Sequence, residues 1–329
     1  MDRAIVVFHG DCDGVIAAGL YIRHFLMDLY PGSVILKFTQ PWRAPADIRA
    51  AVAPSETAHL AILDVAMDDQ LFAEVKKLVP CGVKVVFVDH HASSKKFLEE
   101  LERLGVRVLW NIAQSTPQVL TRALSRVNSY EEFLIKVANV CEGADPSKEL
   151  SGVSSTEELA EAADRIKLSL AIDPLDVDFV KLLVDAVVRG EEVWRLPKVV
   201  ERHGRAKWLL GVMLKAIERR MEEVSGWVIA SFTSAESVLY AGLFGIAASE
   251  LAKRLRKPIV IVRDEGKKIV ITLRSSEGKA LEVCNRIASA MGSNSYGGHR
   301  EAASLTITGK SLDEVVARVK EILTVMKCG

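Results

Sequence analysis

The stretch Ala4-Ile5-Val6-Val7-Phe8-His9-Gly10-Asp11-Cys12-Asp13-Gly14 changes character half-way along. Its first five residues are apolar and β-prone, as in a strand buried on both faces. The remainder brings a histidine and two aspartates to the strand's carboxyl end. The pattern returns twice. Ala61-Ile62-Leu63 ends in Asp64, and Val85-Val86-Phe87-Val88 ends in Asp89-His90-His91. In an open parallel sheet, ligands bind in the crevice beyond the strands' carboxyl ends. Seven metal-competent groups are therefore expected at one edge of one sheet.

Working outward, strands are predicted at 4–8, 34–38, 60–63, 83–88 and 106–109, with helices near 14–29, 44–53, 67–79 and 94–104. This alternation implies an α/β fold with a mostly parallel, doubly wound sheet. Strand signal then disappears, and helices are predicted at 115–126, 131–141, 156–171, 176–189 and 208–224. Ser151-Gly152-Val153-Ser154-Ser155-Thr156 reads as a loop, with Ser155 and Glu158 forming a capping box. Strands return at 227–232, 258–262, 268–273 and 304–307, with helices at 243–255, 279–291 and 311–326. At 329 residues two domains are the natural expectation. The reading is a catalytic domain over 1–188, a helical linker over 189–224 and a smaller α/β domain over 225–329.

Composition narrows the class. Apolar residues at 49% and charged residues at 26% fit a soluble globular protein. No apolar run is long enough for a membrane span and the N-terminus shows no signal core, so no membrane partner and a cytoplasmic location are expected. Five scattered cysteines without a CxxC pair predict neither a disulfide framework nor a zinc ribbon, and Cys12 reads as a small filler. Residues 226–329 carry 15 Lys and Arg against 10 Asp and Glu within a chain of zero net charge. A basic C-terminal part suits phosphate, and an acidic remainder suits metal ions.

A lone Asp after a strand is ordinarily a cap or turn residue, but an Asp-His-His after an apolar strand has little structural purpose. So many carboxylates cannot share a small site without cations, because repulsion would protonate some of them. Two divalent ions resolve the crowding and suit phosphoryl displacement. Mixed carboxylate and imidazole donors point to Mn²⁺, with Zn²⁺ and Co²⁺ compatible and Mg²⁺ less suited.

The motifs resemble those of the DHH phosphoesterases, named for the Asp-His-His triplet. His9-Gly10-Asp11-Cys12-Asp13-Gly14, Asp64 and Asp89-His90-His91 match three family motifs in order. Gly297-Gly298-His299-Arg300-Glu301-Ala302-Ala303 resembles the family's associated substrate-binding (DHHA1-like) domain. Ser304 stands where the family usually has a further glycine. The resemblance implies that His9, Asp11 and Asp64 hold one metal. Asp13, Asp64, His90 and a fourth-motif acid would hold the other, Asp145 being the first choice and Glu142 the fallback. Asp64 bridges, Asp89 orients the site, and His91 lies nearer the scissile phosphate. Arg274, Gly297, Gly298 and His299 would grip substrate phosphate as a roof over the metals.

The spacing within the first motif resembles the RecJ-like and archaeal branches. That implies a Mn²⁺-dependent exonuclease on single-stranded DNA, RNA or short oligonucleotides, releasing nucleoside 5′-monophosphates. An aromatic content of 6% leaves few stacking platforms, which keeps open a phosphatase or phosphodiesterase of small nucleotides such as 3′-phosphoadenosine 5′-phosphate, dinucleotides or cyclic dinucleotides. A non-catalytic partner subunit in replication or repair is the reading of another class, and self-association is left open. Elsewhere, His24, His59 and His203 read as structural. Lys253, Arg254, Arg256 and Lys257 read as a solvated helix end, and Trp194, Trp208 and Trp227 as packing residues.

Overall fold

The computed structural model describes residues 3–149, 155–293, 295–298 and 300–327. In chain order the first sheet is built from β1 (Arg3–His9), α1 (Cys12–Phe25), β2 (Val34–Thr39), α2 (Ala44–Ala51), β3 (Thr57–Leu63), α3 (Asp69–Leu78), β4 (Lys84–Asp89), α4 (Leu98–Arg103) and β5 (Arg107–Trp110). Its order is β2-β1-β3-β4-β5 and every pairing is parallel. Side chains alternate across a strand. Ala4, Val6 and Phe8 accordingly enter one core while Ile5 and Val7 enter another. The second core is closed by Ile48 of α2, Leu71 and Val75 of α3, and Leu101 of α4. The first is closed by α1 and by the helices that follow: α5 (Thr116–Leu120), α6 (Ser129–Cys141), α7 (Thr156–Ala171) and α8 (Val177–Arg189). Both faces of the sheet are therefore covered, as its uninterrupted apolar strands require.

After α9 (Pro197–Arg220) come β6 (Glu222–Val224), β7 (Trp227–Phe232), α10 (Ser234–Leu239), α11 (Phe244–Leu255), β8 (Ile259–Asp264), β9 (Lys268–Arg274), α12 (Ala280–Met291), β10 (Ser295–Gly298), β11 (Ala302–Thr308) and α13 (Leu312–Lys327). They form a mixed sheet, β10-β11-β9-β8-β7-β6, in which only β7 and β8 pair in parallel. Val283, Cys284 and Ile287 of α12 join Val315, Val319 and Leu323 of α13 over one face. The chain divides into two compact units, 1–170 with 174–203, and 171–173 with 204–329. The fold is thus mixed α/β, with a parallel sheet, a helical stretch and a second sheet domain.

Several expectations are corrected. The first helix stops at Phe25 rather than 29, where Leu26 leaves the helical region at φ −131°. The helix expected over 115–126 is one short α-helical stretch followed by a 3-10 turn. α9 begins at Pro197, well before 208, with proline at its first helical position. β10, with the sequence Ser-Tyr-Gly-Gly, has no apolar alternation and exists through its pairing with β11. Ser155 accepts a hydrogen bond from the Glu158 amide at 3.0 Å, but the Glu158 carboxylate turns to Arg195 instead of completing a box. Residues 151–154 of that loop lie outside the described residues. Cys12 and Cys141 form a disulfide between α1 and α6, against the expectation that none is encoded. The sequence separation of 129 residues hides that neighbourhood. Trp194 and Trp227 are buried, but Trp208 is 70% exposed and packs little.

Candidate metal centre

The turn between β1 and α1 is tight enough to specify its residues. Asp11 caps α1, its Oδ1 accepting from the Gly14 amide at 3.0 Å. A Cβ on Gly14 would stand 2.1 Å from the His9 carbonyl oxygen, so only glycine lets the chain fold back this closely. His9, Asp11 and Asp13 are thereby gathered in one turn. Asp64, just past β3, has φ of 57°, a left-handed conformation that Asp tolerates better than most residues. Its amide donates to the Val88 carbonyl on β4 at 3.0 Å, fixing it beside the triplet.

Two donor groups result, each with its ligand atoms within 4.8 Å of one another: His9, Asp11 and Asp64, and Asp64, His90 and His91. His9 Nδ1 lies 2.9 Å from Asp11 Oδ2 and 3.7 Å from Asp64 Oδ2. His90 Nε2 lies 3.6 Å from both Asp13 Oδ2 and Asp64 Oδ1. The opposite nitrogen of each ring faces an acceptor. His9 Nε2 is 3.4 Å from Gln40 Oε1, and His90 Nδ1 is 3.2 Å from the Ala113 carbonyl. With a proton on those outer nitrogens, the inner ones present lone pairs toward carboxylates. That arrangement is stabilised by a cation between them and disfavoured without one. The donor set therefore fits divalent ions held by mixed imidazole and carboxylate.

The charges support this. Burial, then Asp64, Glu142 and Asp11, push the Asp13 carboxyl well above its usual range, against one opposing bond from the Thr116 amide. Asp64 is raised by burial and by Asp11. Burial opposes the charged form of His9, but Asp11 and Asp64 outweigh it and raise the imidazole well above its ordinary value. Burial also acts against Asp11, yet His9 holds it below the usual carboxylate range. Without cations, protons are drawn in to relieve the crowding.

Asp89, the first residue of the triplet, is buried. It receives His91 Nδ1 at 2.6 Å, the His91 amide at 3.2 Å and Ser94 Oγ at 2.5 Å. Although burial works against it, the bond and charge of Asp89 raise His91 to about 9. Trp110 Nε1 anchors the His91 carbonyl at 2.9 Å.

Of the fourth-motif candidates, the fallback is the one brought in. Glu142, at the end of α6, is like Asp145 exposed by area, but it lies near enough to the cluster that desolvation and the charges of Asp11 and Asp64 push its carboxyl up to about 7. Asp145, the first choice, is exposed and spends its carboxylate on the Ser147 amide and hydroxyl at 3.0 and 2.8 Å. It is a cap residue of a short 3-10 turn, and the Asp145 assignment is corrected on that ground. Thr116 escaped the sequence reading. Its amide donates to both Asp13 oxygens, at 3.2 and 3.1 Å, and its hydroxyl donates to Asp64 Oδ1 at 3.0 Å. The only signal was Ser115-Thr116-Pro117, a helix start that could have been placed beside the site.

Residues 228–324 match the DHHA1 domain model. Comparison with curated protein sequences found no match. Among solved structures, the fold is similar to RecJ in complex with Mn²⁺ from Thermus thermophilus, with a TM-score of 0.66 and 18% identity over 98% of this chain and 52% of that one. The chain thus spans about half the length of that protein. It is also similar to PggH, a pGpG-specific phosphodiesterase from Vibrio cholerae, with a TM-score of 0.59 and 14% identity over 98% and 99% of the two chains. CDC45 from Entamoeba histolytica shares the fold at a TM-score of 0.63 and 9% identity, over 98% and 95%. Residues 228–324 are thus a DHHA1 domain, and the chain as a whole shares the fold of RecJ and of PggH.

Within the DHHA1 domain, Arg274 ends β9. Its Nε donates to Ser249 Oγ at 3.0 Å and its Nη1 to the Leu273 carbonyl at 2.8 Å. Desolvation lowers its pKa, and among the described residues no carboxylate pairs with it. A desolvated guanidinium of this kind suits an anion. Gly298 has φ of 138°, and a Cβ there would stand 2.3 Å from the Ala302 carbonyl oxygen. Its freedom is thus required by its own strand pairing, whereas Gly297 faces open space. His299 lies outside the described residues. The blander readings hold for His59, bonded to Tyr21 Oη at 2.8 Å, for His203, paired with Asp164 at 2.8 Å, and for Arg254 and Lys257, paired with Glu218 and Glu223.

Proposed function

We propose that this chain is a DHH-family phosphodiesterase, dependent on divalent metal, acting on ends of single-stranded nucleic acid or on short oligonucleotides and releasing nucleoside 5′-monophosphates. The observation that carries it is Asp64, shared by two donor groups at one strand edge. One metal would be held by His9, Asp11 and Asp64, the other by Asp13, Asp64 and His90 with Glu142. Mn²⁺ fits these donors best. Two such ions supply positive charge for the attacking and leaving oxygens of a phosphoryl displacement.

The chain's own residues do the rest. Asp89 binds His91 Nδ1 and raises the imidazole to about 9, so that the ring would present a proton to a phosphate oxygen. Arg274, Gly297, Gly298 and His299 would bind substrate phosphate. The similarity to a pGpG-specific phosphodiesterase, which extends over nearly all of both chains, favours a second reading in which the substrate is a dinucleotide. A purely non-catalytic role beside replication or repair partners is disfavoured by the complete donor set.

A Mn²⁺ assay tests this with 5′- and 3′-labelled DNA and RNA of several lengths, dinucleotides, cyclic dinucleotides and 3′-phosphoadenosine 5′-phosphate. Stepwise monophosphate release from single strands is expected. Activity that falls steeply with length would transfer the assignment to dinucleotides. No hydrolysis of any of them by metal-loaded protein would sink both.

A further inference from the structure

The part of α9 that belongs to the second unit, residues 204–220, gives up helix stability at two places. Gly204 and Gly211 lie in the helix interior, and glycine is the poorest helix former after proline. The usual compensation is close approach of a neighbour. Gly19 of α1 has it, since a Cβ there would stand 2.3 Å from Val187 Cγ1. At Gly204 and Gly211 a Cβ would meet nothing within 4 Å. What the two share is Trp208, four residues after the first and three before the second, so both adjoin it on the helix surface. Trp208 is 70% exposed, and among the described residues no ring or cation packs against it. At about 100° per residue, both glycines fall on one side of Trp208, with Arg205 and Val212 on the other. One side of the ring is therefore kept clear.

The same face is cationic. Residues 204–220 hold five Lys and Arg against one acid, Glu218. Glu218 pairs with Arg254, and Arg220 pairs with Glu236 at 2.7 Å. Arg205, Lys215 and Arg219 are exposed, and among the described residues no carboxylate pairs with them. Lys215 and Arg219 lie within about 20° of Trp208 around the axis, roughly two and three turns further on. From Arg205 to Arg219 is about 21 Å, the length of roughly six phosphates in a stacked strand. Apolar contact is scarce by comparison. Val212, 37% exposed, is the other exposed large apolar residue of this stretch. One ring and one valine fall far short of the roughly 800 Å² per partner in a stable protein interface. They also lack the apolar stripe of a helix that lies on a membrane. A cleared aromatic ring in line with unpaired cations fits flat groups joined by phosphates.

We propose that this face of α9 is a contact for single-stranded nucleic acid. Trp208 stacks a base on the side cleared by Gly204 and Gly211, while Arg205, Lys215 and Arg219 bind the backbone phosphates. Such a pairing of stacking ring and cationic track tolerates any sequence. The inference rests on the nucleic-acid reading and deepens it, because a dinucleotide is too short to span the face and a longer strand is not.

The test is fluorescence anisotropy of a labelled 20-residue oligo-dT with the full chain in EDTA, over a range of salt. Trp208→Ala should weaken binding by roughly five- to a hundredfold, the usual effect of one stacked base, and Trp208→Phe should retain most of the affinity. Gly211→Leu should weaken binding too, yet melt no lower than wild type, since leucine is the better helix former. Lys215→Gln combined with Arg219→Gln should reduce the slope of log K against log salt by about 1.4. Wild-type affinity in both Trp208→Ala and Gly211→Leu overturns the proposal. So does poly-glutamate binding as tightly as the 20-mer, which would assign the face to acidic peptide. A dimer in sedimentation that Trp208→Ala dissolves would assign it to a second copy. The parent reading fails separately, on absent hydrolysis in Mn²⁺, whereas this one is read from binding without metal.

Discussion

Thr116 shows how much of a candidate metal site is decided by a residue outside its donor groups. It offers a backbone amide to Asp13 and a hydroxyl to Asp64, the two carboxylates most crowded by their neighbours. The amide, in the first turn of α5, has no partner within the helix and so is available to donate to Asp13. Thr116→Val keeps the shape and the amide but removes the bond to Asp64. Loss of such an outer partner is expected to weaken Mn²⁺ binding by about 10- to 100-fold, measured by calorimetry, while Thr116→Ser keeps near-wild-type affinity. Equal affinities in Thr116→Val and wild type would show the hydroxyl to be incidental. The ligand-bearing motifs were legible because Asp, His and Gly break so sharply from apolar strands. Thr116 was not legible, since a threonine at a helix start looks alike whether it faces water or a carboxylate. Glu142 and Asp145 were indistinguishable for a related reason: both follow α6, and only its exact end decides which one faces Asp11 and Asp64.

At the scale of elements, α1 and α6 meet through Cys12 and Cys141, each next in sequence to an acid of the cluster. The bond closes a long loop, and disulfides of this kind typically stabilise by about 2–4 kcal/mol through the unfolded chain. Alkylation without reduction should therefore modify three of the five cysteines, and all five after reduction. Reduction, or Cys141→Ala, should lower the melting temperature; five reactive thiols in unreduced, unfolded protein would contradict the link. α8 carries a pH-dependent contribution of its own. Asp176 caps it by accepting from the Phe179 amide at 2.9 Å and pairs with Arg202 at 2.6 Å, and the amide bond followed by that charge holds its pKa below the ordinary value. A carboxyl lowered in the folded state contributes stability above its unfolded pKa, near 4, and loses it as pH falls through the folded one. Asp176→Asn should accordingly lower the melting temperature at pH 6 and differ less from wild type at pH 3. A constant difference across that range would assign the effect to packing. Parallel strands were readable as elements because they are buried on both faces. β10 was not, because its existence depends on β11 rather than on its own residues.

For the whole molecule, the parallel sheet of the first unit carries an acidic cluster that is expected to be less stable empty than filled. Asp13 and Asp64 are buried, Asp13 raised by the charge of Asp64 and Asp64 by that of Asp11, and the bonds from Thr116 and His9 only partly offset this without protons or cations. A ligand that binds the folded state alone stabilises it by about 2.7 kcal/mol at a hundredfold excess over its dissociation constant. Mn²⁺ should therefore raise the melting temperature of EDTA-treated protein by several degrees, and hydrogen exchange should slow at the amides of Gly14 and Thr116. Asp13→Asn separates the two halves of this argument. Removing one buried charge while keeping an acceptor for the Thr116 amide should stabilise the metal-free protein by about 1 kcal/mol, or roughly 2–4 °C. The same substitution should abolish most of the Mn²⁺-induced shift. If Asp13→Asn instead melts lower than wild type in EDTA and keeps the full shift with Mn²⁺, the carboxylates are not held in mutual repulsion. The sheet edge would then have to be explained without a metal.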